Sequence, residues 1–219
     1  MIQMSEYKCV IFDLDGTIID SSKGIRRSIE ETIKVLGLQK MSDVQVESCI
    51  GPPIQDSFKR IYQVAESEAN EMASVFRNFY KEKYLYEAEV YRGMSEFINS
   101  LQRNRIVTMI ATYKREDYTE KLLKQFGLWE LFDYVKGADF AGKLKKLDII
   151  NLCIKKSRCH PNEIVMIGDT FHDSEAAYQA GIDFIAVTYG FGFEPMECVN
   201  EAVYIAESVS DLKEYFSRG

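Results

Sequence analysis

The run Tyr7-Lys8-Cys9-Val10-Ile11-Phe12-Asp13 is short, almost continuously apolar, and stopped by acids and glycine in Asp13-Leu14-Asp15-Gly16-Thr17. Such a run reads as a strand buried on both faces, which is stable only between two covering layers. Strand character returns at residues 105–112, 134–136, 164–168, 183–188 and briefly at 202–205. Helical patterns lie between these runs, at 95–103, 117–126, 147–157, 173–180 and 211–216. Alternation at this spacing predicts an α/β fold, a Rossmann-like parallel sheet with helices on both faces.

Between the first two strands the pattern changes. Ile25, Ile29, Ile33 and Leu36 share one helical face before Gly37 ends the helix. Further helices are expected at 42–49, 54–63 and 66–85, and no convincing strand interrupts them. The chain therefore divides into a core, 1–19 with 90–219, and a helical insert, 20–89. A chain of 219 residues with 46% hydrophobic content is long enough for such an arrangement.

Composition narrows the function classes. With 27 basic and 34 acidic side chains the net charge is −7, which opposes non-specific attraction to a nucleic acid polymer. The N-terminus lacks a basic start followed by an apolar stretch, and no run approaches the roughly 20 apolar residues of a membrane span. A soluble cytoplasmic protein is expected. Cys9, Cys49, Cys153, Cys159 and Cys198 are scattered, with no CxxC pair, and read as buried or incidental thiols.

In an open parallel sheet ligands bind beyond the carboxyl ends of the strands, and three of these strands end in polar clusters. Asp13 ends the first. Ile164-Val165-Met166-Ile167-Gly168-Asp169 is a second buried run ending in glycine and acid, with Asp173 four residues on. A carboxylate at the end of a buried strand needs a partner. Asp173 reads equally as a helix cap or as a member of the same cleft. An aspartate can attack a phosphoryl group only if a cation offsets the repulsion, and hard oxygen donors such as Asp13 and Asp169 suit Mg²⁺. Asp15 follows Asp13 by two residues as the chain turns at Gly16, so its carbonyl can face the metal while its carboxyl group handles a proton. Thr112 brings a hydroxyl to the same edge, able to donate to a phosphoryl oxygen. Lys143, Lys145 and Lys146 cluster before a helix and could supply a fixed positive charge. His172 between Asp169 and Asp173 is a poor match for an oxygen-preferring cation, and His160 before Pro161 reads as surface.

The ordered set Asp13-Leu14-Asp15-Gly16-Thr17, Thr112, a lysine, and Gly168-Asp169-Thr170-Phe171-His172-Asp173 resembles the haloacid dehalogenase superfamily along essentially the whole chain. The helical insert looks like that superfamily's type 1 cap. Ile50-Gly51-Pro52-Pro53-Ile54 with Ser57-Phe58, and Tyr189-Gly190-Phe191-Gly192, resemble members of the phosphoglycolate phosphatase type. The resemblance implies a Mg²⁺-dependent phosphatase acting on a small phosphorylated metabolite. Asp13 would become an aspartyl-phosphate, Asp15 would serve as acid and base, and Thr112 would hold a phosphoryl oxygen. Lys146, with Lys143 as runner-up, would supply the cation. Asp13, the Asp15 carbonyl, Asp169 and Asp173 would hold the metal, and Gly16, Thr17, Thr112, Tyr113, Gly51 and Pro52 would meet the substrate. Asp15 disfavours a dehalogenase. The absence of histidine from the insert disfavours a phosphosugar mutase, while a 5'-nucleotidase or a pyrophosphatase remains an alternative. A catalytically silent binding protein would be expected to lack one of these charged positions.

Overall fold

In the computed structural model the residues described are 7–139, 143–193 and 202–217. In chain order the elements are β1 (Cys9–Phe12), β2 (Ile19–Asp20), α1 (Ser22–Leu36), α2 (Asp43–Glu47), α3 (Ile54–Tyr62), α4 (Glu66–Phe79) and β3 (Glu89–Val90). They continue with α5 (Met94–Arg103), β4 (Val107–Arg115), α6 (Glu116–Gln125), β5 (Tyr134–Ala138), α7 (Lys146–Ser157) and β6 (Ile164–Gly168). The last four are α8 (Phe171–Ala180), β7 (Asp183–Val187), β8 (Ala202–Ala206) and α9 (Val209–Ser217). The chain forms two compact units, 1–19 with 90–219, and 20–89.

The first unit is built on a six-stranded sheet in the order β5-β4-β1-β6-β7-β8, with every pair parallel. The expected α/β architecture is therefore the observed one. β1 is central, and its four residues are fully buried. Cys9 and Ile11 join the cluster under α7 and α8, with Met109, Ile149, Ile150, Cys153, Met166 and Ala177. Side chains alternate across a strand, and Phe12 packs edge-on to Phe97 of α5 and to Phe132 on the other face. Phe97 in turn meets Phe216 of α9. Each buried large side chain contributes on the order of 1.5–3 kcal/mol, so a polar change at Ile11 or Phe12 would strike the layer that holds the sheet.

The second unit is helical. α1 and α3 both pack on α4, and α2 packs on α1. Phe58 and Phe76 meet edge to face, and Phe76 stacks on Tyr80. α1 ends as expected, with Gly37 in the left-handed region accepting the chain reversal. The helix expected over 66–85 differs in its last turn: residues 80–84 widen into a π-helix. β2 and β3, too short to show as strands in the sequence pattern, pair where the chain passes between the units. The described cysteines are free: Cys9, Cys49 and Cys153 are buried and Cys159 is half-buried, while Cys198 lies outside the described residues. Burial pushes the Cys153 thiol up to about 12, so it packs as an apolar group. Among the described residues no helix is long and apolar enough to cross a membrane.

Gly24 shows how tightly the helical unit closes. A Cβ there would sit 2.3 Å from the Tyr84 carbonyl oxygen and 3.2 Å from that of Glu87. Gly24→Ala gains about 1 kcal/mol of helix propensity but forces backbone against backbone, an overpacking cost of about 1–3 kcal/mol. The clash wins because a carbonyl in a helical turn cannot rotate away. A urea titration followed by circular dichroism should show G24A unfolding at lower denaturant than the parent; a higher midpoint would contradict this packing.

Candidate active site

β1 and β6 end side by side, each followed by an aspartate, while neighbouring β4 runs past the expected end at 112 to Arg115 and carries Thr112 within it. The register pairs Phe12 with Ile110 on one side and with Ile167 on the other. Asp13 therefore leaves β1 level with the end of β6, and its N–H donates to the Ile167 carbonyl at 2.9 Å. Thr112 and Asp169 follow on the flanking strands. Asp13 is 7% exposed, while Asp169 and Asp173 are fully buried. One carboxylate oxygen from each of Asp13, Asp169 and Asp173 lies within 4.8 Å of the others.

Lys146, the first residue of α7, points back into this cluster. Its Nζ is 2.8 Å from Asp13 Oδ1 and 2.6 Å from Asp173 Oδ1, with a side chain 3% exposed. These are ion-pair contacts; neither oxygen has a hydrogen-bond partner of good alignment. Burial pulls the Lys146 ammonium toward neutrality, but Asp13 and Asp173 outweigh it and hold the group more basic than an ordinary lysine. Lys143 is exposed, with its backbone N–H on Asp139, so the two candidate lysines are placed very differently.

Asp169 is fixed from three directions. The Phe191 N–H donates to its Oδ2 at 2.8 Å, and the Thr17 hydroxyl donates to its Oδ1 at 3.2 Å. Gly16 and Gly190 close in from either side: a Cβ on either would fall 2.1 or 2.5 Å from Oδ2. Gly16 also adopts φ +78°, where only glycine is at ease. Thr17, expected to meet substrate, is fully buried, and its carbonyl accepts from the Tyr189 hydroxyl at 2.9 Å. In the structure its hydroxyl thus braces Asp169. Burial holds the Tyr189 phenol well above its ordinary range, so it stays a donor.

Asp173 settles its two sequence readings jointly. α8 starts two residues earlier than the pattern over 173–180 suggested, and Asp173 Oδ2 reaches back to accept from the Thr170 N–H at 3.1 Å and the Thr170 hydroxyl at 2.7 Å. Its other oxygen joins Lys146. One carboxylate closes the helix start and lines the cluster.

Asp15 turns toward β4, where its Oδ2 is 2.9 Å from Lys114 Nζ in a pair whose side chains are 11% and 6% exposed. Sequence reasoning passed over Lys114. The available signal was strand periodicity, which puts residues 112 and 114 on one face. Tyr113 lies on the other side, with Lys146 Nζ 5.7 Å from its ring centroid and exposed His172 edge-on to it. His172 is outside the carboxylate cluster, and His160 is exposed. Gly51 and Pro52 are half-buried in the helical unit, between α2 and α3.

The donor set fits a divalent cation of the Mg²⁺ type. It consists of hard oxygens on a rigid frame, and one ammonium leaves three clustered acids net negative. Asp13 is pushed up to about 6 by burial and by the charges of Asp173 and Asp15, against the opposing pull of Lys146. Burial, then Asp173 and Asp13, hold Asp169 well above the usual carboxylate range.

An acid whose folded pKa is raised binds more protons folded than unfolded, so ionising it costs stability. For Asp13 that window runs from its ordinary 3.8 to about 6. Melting temperature in a chelator should therefore carry a component that falls with rising pH across this window, and Asp13→Asn should flatten it. Added Mg²⁺ should raise the melting temperature more at pH 7 than at pH 5, with about 2.7 kcal/mol of stabilisation at one hundred times its dissociation constant. A cation effect of equal size at both pH values, or one intact in Asp169→Asn, would contradict the site.

Comparison with known proteins identifies the family. The sequence profile of the "Haloacid dehalogenase-like hydrolase" family matches residues 10–187. A 5'-nucleotidase of Pseudomonas aeruginosa is 27% identical over 209 residues, 95% of each chain. A phosphoglycolate phosphatase of Vibrio parahaemolyticus is 26% identical over 219 aligned positions, covering 95% of this chain and 96% of that one. Among solved structures, a predicted phosphatase from Clostridium acetobutylicum superposes with a TM-score of 0.89 at 30% identity, over 98% of this chain and all of that one.

Proposed function

Because this chain belongs to the haloacid dehalogenase-like hydrolase family and is a phosphoric monoester hydrolase, we propose that it hydrolyses a small phosphomonoester through an aspartyl-phosphate on Asp13. The observation that carries this reading is the buried Lys146 bridging Asp13 and Asp173 at the strand edge that also holds Asp15, Thr112 and Asp169. Asp13 attacks phosphorus through the carboxylate oxygen not engaged by Lys146, and the bond to the leaving oxygen breaks. Asp15 gives that oxygen its proton. Asp15 then takes a proton from the water that attacks the aspartyl-phosphate, releasing inorganic phosphate and restoring the Asp13 carboxylate.

Thr112 is placed to assist. Its oxygen accepts from the Lys114 N–H at 3.1 Å, which leaves its own O–H to donate to a phosphoryl oxygen. Lys146 keeps Asp13 ionised beside its acidic neighbours and offsets the charge of the incoming phosphate. Mg²⁺, held by Asp13, the Asp15 carbonyl, Asp169 and Asp173, would supply further charge neutralisation when bound. Substrate contacts from Gly16, Thr17, Tyr113, Gly51 and Pro52, a cap role for residues 20–89, and a cytoplasmic location belong to the same proposal. For the last, the support is the set of free thiols.

For the substrate class, a relative named phosphoglycolate phosphatase supports a short phosphorylated acid. The 27%-identical relative named 5'-nucleotidase supports a nucleoside monophosphate as the second reading. Phosphate release measured across phosphoglycolate, sugar phosphates, nucleoside monophosphates and pyrophosphate should single out one class by at least about 10² in kcat/KM, about 2.7 kcal/mol of transition-state discrimination. Asp13→Asn should abolish turnover of every substrate, aryl phosphates included. Near-parental activity in D13N would overturn the nucleophile assignment. Asp15→Asn should lose most with poor leaving groups, and an equal loss for good and poor ones would remove it as the acid.

A further inference from the structure

We propose that Lys114 is a positioning residue for Asp15: its ammonium fixes the carboxylate that handles the proton, as Lys146 fixes the carboxylate that attacks. The inference rests on the reading of Asp15 as acid and base. Its observations are separate from those that carry that reading.

The ion pair is short, at 2.9 Å, and nearly sealed from solvent, with 6% and 11% of the two side chains exposed. A charge-assisted contact in such a place is directional and strong, unlike a solvated surface pair. The lysine is itself held at its backbone. Its N–H donates to Thr112 Oγ1, and its carbonyl lies against Gly137 of the neighbouring strand β5. A Cβ on Gly137 would be 2.5 Å from that carbonyl oxygen and 2.7 Å from the Glu116 backbone. β4 loses its regular register with β5 between Ala111 and Arg115, a local irregularity of the kind that re-aims side chains at sheet rims. Thr112 and Lys114 therefore sit on one rigid strand end, one facing the phosphoryl position and the other gripping Asp15.

Asp15 lies immediately before the turn at Gly16. A proton can be transferred only within hydrogen-bond distance of the leaving oxygen, and a displacement of about 1 Å can cost about 10²-fold in rate. Without Lys114 the Asp15 carboxylate loses its buried ion pair, while the contacts of Lys146 with Asp13 and of Phe191 with Asp169 remain. The effect should fall on proton transfer and spare nucleophilic attack.

The test is a double-mutant cycle with substrates of graded leaving-group acidity. Lys114→Met should lower kcat by about 10–10²-fold for an alkyl phosphate and by less than about 3-fold in the first turnover of dinitrophenyl phosphate, whose leaving group needs no proton. KM should change less than kcat, and Lys114→Arg should recover a substantial part of the loss. In the Asp15→Asn background Lys114→Met should have no further effect. A loss uniform across leaving groups, or one that persists in D15N, would show a merely structural lysine and overturn the proposal. Melting curves of both Lys114 variants separate misfolding from misplacement: if K114M is unfolded, the arginine variant decides, and failure of K114R to act through Asp15 is equally fatal. If D15N itself retains full activity on alkyl phosphates, the acid–base reading fails and not the geometry of Lys114.

Discussion

Three carboxylates and one ammonium share a space nearly closed to water, and much of the catalytic unit's layout follows from holding them there. At the separations seen, up to 4.8 Å between ligand oxygens, each like-charged pair costs about 3–4 kcal/mol at an effective dielectric of about 20. Lys146 relieves two of the acids and leaves the group net negative. That residual charge is why burial and mutual repulsion drive Asp13 and Asp169 upward, and why a cation and the phosphate it accompanies are welcome there. A phosphate dianion alone would meet repulsion.

Such a cluster survives only on a frame that cannot relax away from it. The frame is the central strand pair β1 and β6, apolar on both faces and covered by helices on each side. Its polar rim is tightened by glycine. Gly16 and Gly190 let two loops close directly onto Asp169, and Gly168 lets the start of α8 press Asp173 against the end of β6. Tyr189, donating to the Thr17 carbonyl, ties the loop after β7 to the turn after β1. The price of crowding acids is thus met by backbone contacts that only small residues permit.

Much of this was legible in the residues, for a physical reason. A buried parallel strand must be apolar throughout, so an acid at its end stands out, and Asp13 and Asp169 announce themselves. Thr112 is different, because threonine is ordinary in a strand and only its alignment with the two acids singles it out. Lys146 could be chosen over Lys143 only through a resemblance: both precede a helix, and which one turns inward depends on where α7 begins. The start of α8 at Phe171 is hard to read because its apolar periodicity is weak and the start signal is a reach-back from Asp173 to Thr170. Thr17 shares the motif, but its contact with Asp169 joins positions 152 residues apart and leaves no local signal. Its burial depends on the loop from Tyr189 to Phe191, far away in the chain. Lys114 has no local signal because it falls past the strand expected over 105–112, where a lysine usually reaches solvent, and its partner Asp15 is nearly a hundred positions earlier.

The central claim is that Asp13 carries the phosphoryl group. The direct measurement is rapid acid quenching of the enzyme with a phosphate-labelled substrate, followed by peptide mapping of the trapped protein. The account predicts label on the peptide containing Asp13, stable in acid, released by hydroxylamine, and increased when Asp15 is replaced by Asn. Turnover with no covalent label at any quench time, or label on another residue, would contradict it.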